Sequence, residues 1–308
     1  MTILFFKPIP KVTVWGVNHV KNYFGYADFP DHVGQAWVFS GQPTEANGCL
    51  TPPYKGKNLH ELWRDHQELF GYQTGEFPLI ISLVAPDDDL SIQVHPDEGE
   101  AKKIGFSMGK NEAWYFIQPP TTGKIVYGHH AQNPEEMEIY IQNQHWMELI
   151  DYLPVKKEDF VYLPAGLLHA LQKGSIVYEI QQATDVTYRF FDYHRKDENN
   201  QERELHLEQA LECVTYDKIK NDHLASTNGG RTTYIDNDSF TVIKLEIAGQ
   251  FVFKDEDYQL ATVIHGRGEV NSISVQVGSN FLIPVQTEAV FNGKMVVMMT
   301  TKKSVYHE

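Results

Sequence analysis

Cysteine is nearly absent: Cys49 and Cys213 are the only two in 308 residues. They lie far apart and form no Cys-x-x-Cys pair, which excludes a disulfide framework and a thiolate metal site. Basic residues are also scarce, 26 Lys plus Arg against 41 Asp plus Glu, and the formal charge of −15 repels a phosphate backbone. Nucleic acid is therefore not an expected partner, although a few convergent cations can still bind a small phosphorylated ligand. Long apolar runs are missing too. The longest, Phe77 to Ala85, is far below the ~20 residues of a membrane span, and the stretch Met1 to Lys11 breaks at Pro8 and Pro10 without a signal-peptide core. These absences predict a cytoplasmic protein with no membrane partner. No Gly-x-x-x-x-Gly-Lys or Gly-x-Ser-x-Gly occurs, and Gly266-Arg267-Gly268, read as a turn beside His265, is too short to cradle a nucleotide.

What is present points to strands. The length suggests two domains, and 17 Phe and 16 Tyr suit half-buried sheets better than a helical bundle. Three helical segments stand out. Residues 58–70 carry Leu59, Leu62, Trp63 and Leu69 at helical spacing behind a capping Asn58. Residues 134–153 follow Asn133-Pro134-Glu135-Glu136, a good helix start, and residues 205–214 carry Leu207, Leu211 and Val214. The polar stretch Asn221 to Thr233, with Gly229-Gly230, marks a division into residues 1–222 and 233–308. Elsewhere short strands alternate with turn signals: 79–84, 90–94, 113–117, 124–127, 160–163, 176–181 and 187–191, then 241–247, 260–264, 269–275, 280–283 and 295–300. That pattern indicates a sandwich or barrel. Gly278 to Pro284 also aligns with Glu158 to Pro164, so the two halves read as related β-barrels. Only the first copy continues to Gly166 and His169.

The residues with chemical potential cluster in the first part. In Leu90-Ser91-Ile92-Gln93-Val94-His95-Pro96, Gln93 and His95 project from one face of a strand. Glu112, in Gly109-Lys110-Asn111-Glu112, precedes an apolar strand, and Pro164-Ala165-Gly166-Leu167-Leu168-His169 turns a histidine back from another. Two imidazoles, a carboxylate and an amide oxygen suit a borderline divalent metal such as Zn²⁺. The same two histidines and one carboxylate also match the facial triad of non-haem iron oxygenases. In Asp185-Val186-Thr187-Tyr188-Arg189, Arg189 either clamps an anion or forms a surface ion pair with Asp185 or Asp192. His129-His130 has no acidic partner at metal spacing, His60 and His66 sit in the helical segment Leu59 to Phe70, and His265 lies in a turn with Gly266 and Gly268, so all read as structural or exposed.

These segments, together with Val14-Trp15-Gly16, resemble the type I mannose-6-phosphate isomerases in their short bacterial form. The order and spacing persist from about residue 5 to 195. The resemblance implies a mainly β protein: a cupin-type β-barrel, or jelly roll, with helical insertions, followed by a smaller metal-free cupin-like domain. It implies zinc held by Gln93, His95, Glu112 and His169, one ion per chain, and makes Arg189 the essential arginine. Ser91 and Lys110 fall at the substrate end, and Arg195 falls where a basic residue suits the phosphate. The activity implied is interconversion of mannose 6-phosphate and fructose 6-phosphate through an enediol, with Asp185 and Lys110 as candidates for proton transfer. Val17 stands where relatives often carry a second glycine. The alternatives are a cupin iron oxygenase and a sugar-phosphate-binding protein without turnover.

Overall fold

The computed structural model describes residues 1–196, 200–222 and 224–303. It is mainly β, and its strands pair antiparallel in three sheets. The first sheet runs in the order Phe160–Leu163, Glu112–Gln118, Ile176–Gln182, Leu79–Val84, Val33–Gln42, Ile9–Val12. Facing it is a second, ordered Tyr188–Phe191, Ile92–Val94, His169–Ala170, Lys124–His129, Ile150–Pro154. Between them Val84, Trp114, Phe116 and Val177 of the first sheet meet Ile125 and Tyr127 of the second in one apolar cluster. This is the expected jelly roll.

The first sheet is buried on both faces, which accounts for its nearly continuous apolar strands such as Leu79–Val84. Strand alternation sends Glu112, Trp114 and Phe116 into the barrel, while Ala113, Tyr115 and Ile117 pack outward. The outward set joins Val242, Leu260, Leu282 and Met298 of the third sheet in one shared core. That third sheet begins at Ser226, where Ser226–Asn228 pairs with Arg231–Asp236 across the left-handed Gly229-Gly230. The later part of the polar stretch Asn221 to Thr233 is thus the first hairpin arm of this sheet. The sheet also takes in the strand Leu4–Phe5, which pairs with Asn280–Ile283.

Of the helical segments, Leu59–Asp65 carries a full capping box between Asn58 and Glu61 and is followed by a 3₁₀ turn, Gln67–Leu69. The segment expected over 134–153 is helical only at Pro134–Gln142 and Trp146–Leu149. Its end, Ile150–Pro154, is instead a strand paired with Lys124–His129, because sheet pairing outweighs a weak helical pattern there. The last segment forms the helix Leu207–Cys213. Gly266-Arg267-Gly268 is not a turn but part of the strand Gln259–Val270, and His265 lies exposed within it. A Cβ on Gly266 would meet Lys294 O at 2.2 Å, so a glycine is needed for the strands to approach.

The internal echo is visible in the backbone. Both copies run strand, proline, turn, strand: Phe160–Leu163 to His169–Ala170, and Asn280–Ile283 to Ala289–Thr301. Left-handed residues recur at aligned positions, Glu158 with Gly278 and Gly166 with Gln286. The place of His169 is taken by Ala289, so the second copy lacks this histidine.

Candidate metal centre and active site

His95, Glu112 and His169 reach one point inside the barrel from three directions. His95 follows the strand Ile92–Val94, Glu112 opens the strand Glu112–Gln118, and His169 opens His169–Ala170. Local hydrogen bonds hold these entries in register. Gly166 N donates to His95 O at 2.9 Å, and Lys110 N donates to Pro96 O at 3.0 Å. Asn111 ties the pieces together: its Nδ2 donates to Gln182 Oε1 at 2.9 Å, and its Oδ1 accepts from Ala165 N at 2.9 Å.

The ligand atoms of the three residues lie within 4.8 Å of one another. His95 Nε2 is 3.2 Å from Glu112 Oε1, and His169 Nε2 is 3.5 Å from Glu112 Oε2. All three side chains are buried, and His95 Nε2, His169 Nε2 and Glu112 Oε2 have no hydrogen-bond partner. Each Nδ1 instead faces a backbone carbonyl, Val186 O for His95 and Leu167 O for His169, both at 2.9 Å. A carbonyl only accepts, so each Nδ1 carries the proton and each Nε2 presents a lone pair inward. Three buried atoms left without partners would be costly. A divalent cation satisfies all of them, and this donor set fits one.

The electrostatics agree. Burial, with Lys110 adding to it, lowers the His95 imidazole to about 4, which keeps it neutral near pH 7. Against the cost of its burial, Glu112 is held well below the usual carboxylate range by His95 and Lys110. Lys110 Nζ lies 3.2 Å from Glu112 Oε1 and is itself buried.

Above this floor opens a cavity of about 170 Å³ whose walls include Ser91, Gln93, Lys110, Asp185 and Arg189. Gln93 pairs with both His169 and Arg189 across the second sheet, and Ser91 Oγ donates to Gln93 Oε1 at 3.4 Å. Arg189 Nη1 donates to Glu204 O at 3.3 Å, and Asp185 is exposed at the mouth. Arg195 is not brought to the wall. Its guanidinium donates to Asp89 O and lies 3.8 Å from Asp88 and 3.7 Å from Asp192.

Two further wall residues, Glu179 and Arg203, carry no signal in the sequence. Glu179 looks like one more residue of an apolar strand. It accepts from Trp114 Nε1 at 2.9 Å and Gln35 Nε2 at 3.0 Å. Burial first, and then the Glu112 charge, push its carboxyl up to about 7.

Residues 5–147 match the family described as phosphomannose isomerase type I, catalytic domain. The chain is 36% identical over 292 residues to a probable mannose-6-phosphate isomerase of Bacillus subtilis, GmuF, covering 91% of this chain and 93% of that protein. It is 35% identical over 280 residues to a mannose-6-phosphate isomerase of Streptococcus mutans, covering 88% and 89%. Among solved structures, the Bacillus subtilis mannose 6-phosphate isomerase superposes with a TM-score of 0.93 at 32% identity, covering 98% of this chain and all of that one.

Proposed function

Because the chain belongs to the type I phosphomannose isomerase family, we propose that it interconverts D-mannose 6-phosphate and D-fructose 6-phosphate through an enediol, with Zn²⁺ as cofactor. The supporting observation is the convergence of three partnerless buried atoms, His95 Nε2, Glu112 Oε2 and His169 Nε2, beneath a cavity walled by Lys110, Asp185 and Arg189. The amide oxygen of Gln93 is the fourth ligand in this reading. When bound, the zinc supplies Lewis-acid polarisation of a sugar oxygen.

The remaining work falls to the chain's own side chains. Moving a proton between C2 and C1 requires a positioned acid/base group, and Asp185 and Lys110 are the candidates on the wall. Charge that gathers on the sugar oxygens in the enediolate is opposed by the Arg189 guanidinium, which is permanently charged and can donate in parallel. Ser91 offers a hydroxyl to the sugar from just before the strand Ile92–Val94. Trp15 and Trp37 form apolar wall that limits water around the intermediate.

The test is a coupled assay for fructose 6-phosphate formed from mannose 6-phosphate, run on chelator-stripped protein and again after adding back Zn²⁺. Turnover restored by zinc is expected. A folded, metal-loaded protein without turnover would overturn the reading, and oxygen uptake by the iron-loaded form would favour an oxygenase instead.

A further inference from the structure

Arg203 stands in an irregular stretch that runs beside the strand Tyr188–Phe191. His206 N donates to Arg189 O at 2.8 Å, and Arg189 N donates to His206 Nδ1 at 3.1 Å. This pairing sets Arg203 on the same cavity wall as Arg189 and Lys110. Its Nε and Nη2 fork onto the two oxygens of Asp192 at 2.7 and 2.6 Å, and Asp192 is only 3% exposed. The fork occupies two of the five guanidinium N–H groups and fixes the plane of the rest.

The charge balance around this fork is unequal. Asp192 is shared, since Arg195 also lies 3.7 Å from it. Arg189 makes no ion pair among the described residues; burial first, and then the charge of Arg203, lower its proton affinity, and the charges of Asp192 and Glu204 offset this only in part. Two guanidiniums facing one cavity repel each other, as the effect of Arg203 on Arg189 shows, and an anion bound between the cavity walls relieves that repulsion. A phosphate dianion has the oxygens and the charge to do so.

We propose that Arg203, oriented by Asp192, binds the phosphate group of the sugar substrate, which leaves Arg189 to the enediolate oxygens. The assignment rests on the isomerase reading for the identity of the sugar, and on the wall geometry alone for the phosphate. Arg195, the basic residue the sequence suggests for this task, braces the site from behind through Asp192 and the Asp88-Asp89 turn.

Two measurements test it: calorimetric titration of the zinc-loaded protein with inorganic phosphate, and steady-state kinetics with mannose 6-phosphate. Arg203→Met is expected to raise KM roughly 10- to 100-fold with little change in kcat, the loss expected of charge-assisted hydrogen bonds. Phosphate affinity should fall in parallel. Since that variant strands a buried carboxylate, the double variant Arg203→Met/Asp192→Asn is made alongside, with the same expectation. Unchanged phosphate affinity and KM in either folded variant would overturn the proposal, and so would a loss confined to kcat. If the wild type binds phosphate through Arg203 yet does not isomerise the sugar, the anion site stands and the isomerase reading falls.

Discussion

His95 donates from Nδ1 to the backbone carbonyl of Val186 at 2.9 Å, so a residue of the metal floor is anchored to the loop that carries Asp185. Proton donation from Nδ1 is what leaves Nε2 as a lone pair, and the same bond keeps Asp185 at a fixed place on the rim. One hydrogen bond therefore ties the buried histidine to the rim of the cavity.

Replacing His95 or His169 by Ala should reduce bound zinc to less than roughly a tenth of the wild-type content, because the three remaining protein donors, one of them a neutral amide oxygen, hold the ion poorly. Plasma emission spectrometry after gel filtration checks it. Glu112→Gln should do the same and additionally leave Lys110 buried beside a neutral partner, lowering Tm below that of the chelated wild type.

Arg189→Ala should keep its zinc while kcat falls roughly 10²- to 10³-fold, the cost of removing one preorganised donor to developing charge. Zinc loss in that variant, or full activity, would remove Arg189 from the role given to it.

Glu179 makes the chelated protein sensitive to alkali. Its folded carboxyl is raised to about 7 from an ordinary value of 4.5, so the folded state binds the proton more tightly than the unfolded chain. The stability this contributes is present below pH 4.5, declines as pH rises, and is lost above pH 7. The span is about 3 kcal/mol at most. Urea unfolding of metal-stripped wild type and Glu179→Gln at pH 5 and pH 8 should show the decline in the first and not in the second.

Gly34→Ala should cost about 1–3 kcal/mol through overpacking and raise KM. A Cβ there would stand 2.2 Å from the Trp15 ring and 2.4 Å from Thr13 Oγ1, and Trp15 is part of the cavity wall. A unchanged urea midpoint together with an unchanged KM would contradict this.

Sequence alone carries the fold class and the metal-site motifs because both follow local rules. The strands 79–84, 160–163 and 280–283 end where they were expected, each bounded by proline or turn residues. The strand Val33–Gln42 was not expected, since Gly34, Gln35, Ser40, Gly41 and Gln42 dilute its apolar pattern, yet it is paired on both sides. Thr241–Phe253 runs past the expected end at Ile247, because residues 248–252 are mostly exposed and carry no apolar alternation to read, although they stay paired with Ala289–Thr301. The helix Glu98–Lys103 buries only Ala101 and so shows no periodicity. His95, Glu112 and His169 sit in readable motifs, whereas Asn111 and Glu179 are defined by partners far away in sequence and Arg203 by an irregular stretch that shows no pattern.

The pairing of Leu4–Phe5 with Leu282 and Phe281 has a consequence for synthesis on the ribosome. The strand is synthesised well over two hundred residues ahead of its partner. At roughly 5–20 residues per second, that wait is on the order of tens of seconds. The nascent jelly roll must pass this interval with the apolar strand Leu4–Phe5 unpaired and its outer sheet face uncovered. A chaperone that holds exposed apolar segments should therefore engage this chain before termination and release it once Asn280–Ile283 has left the exit tunnel.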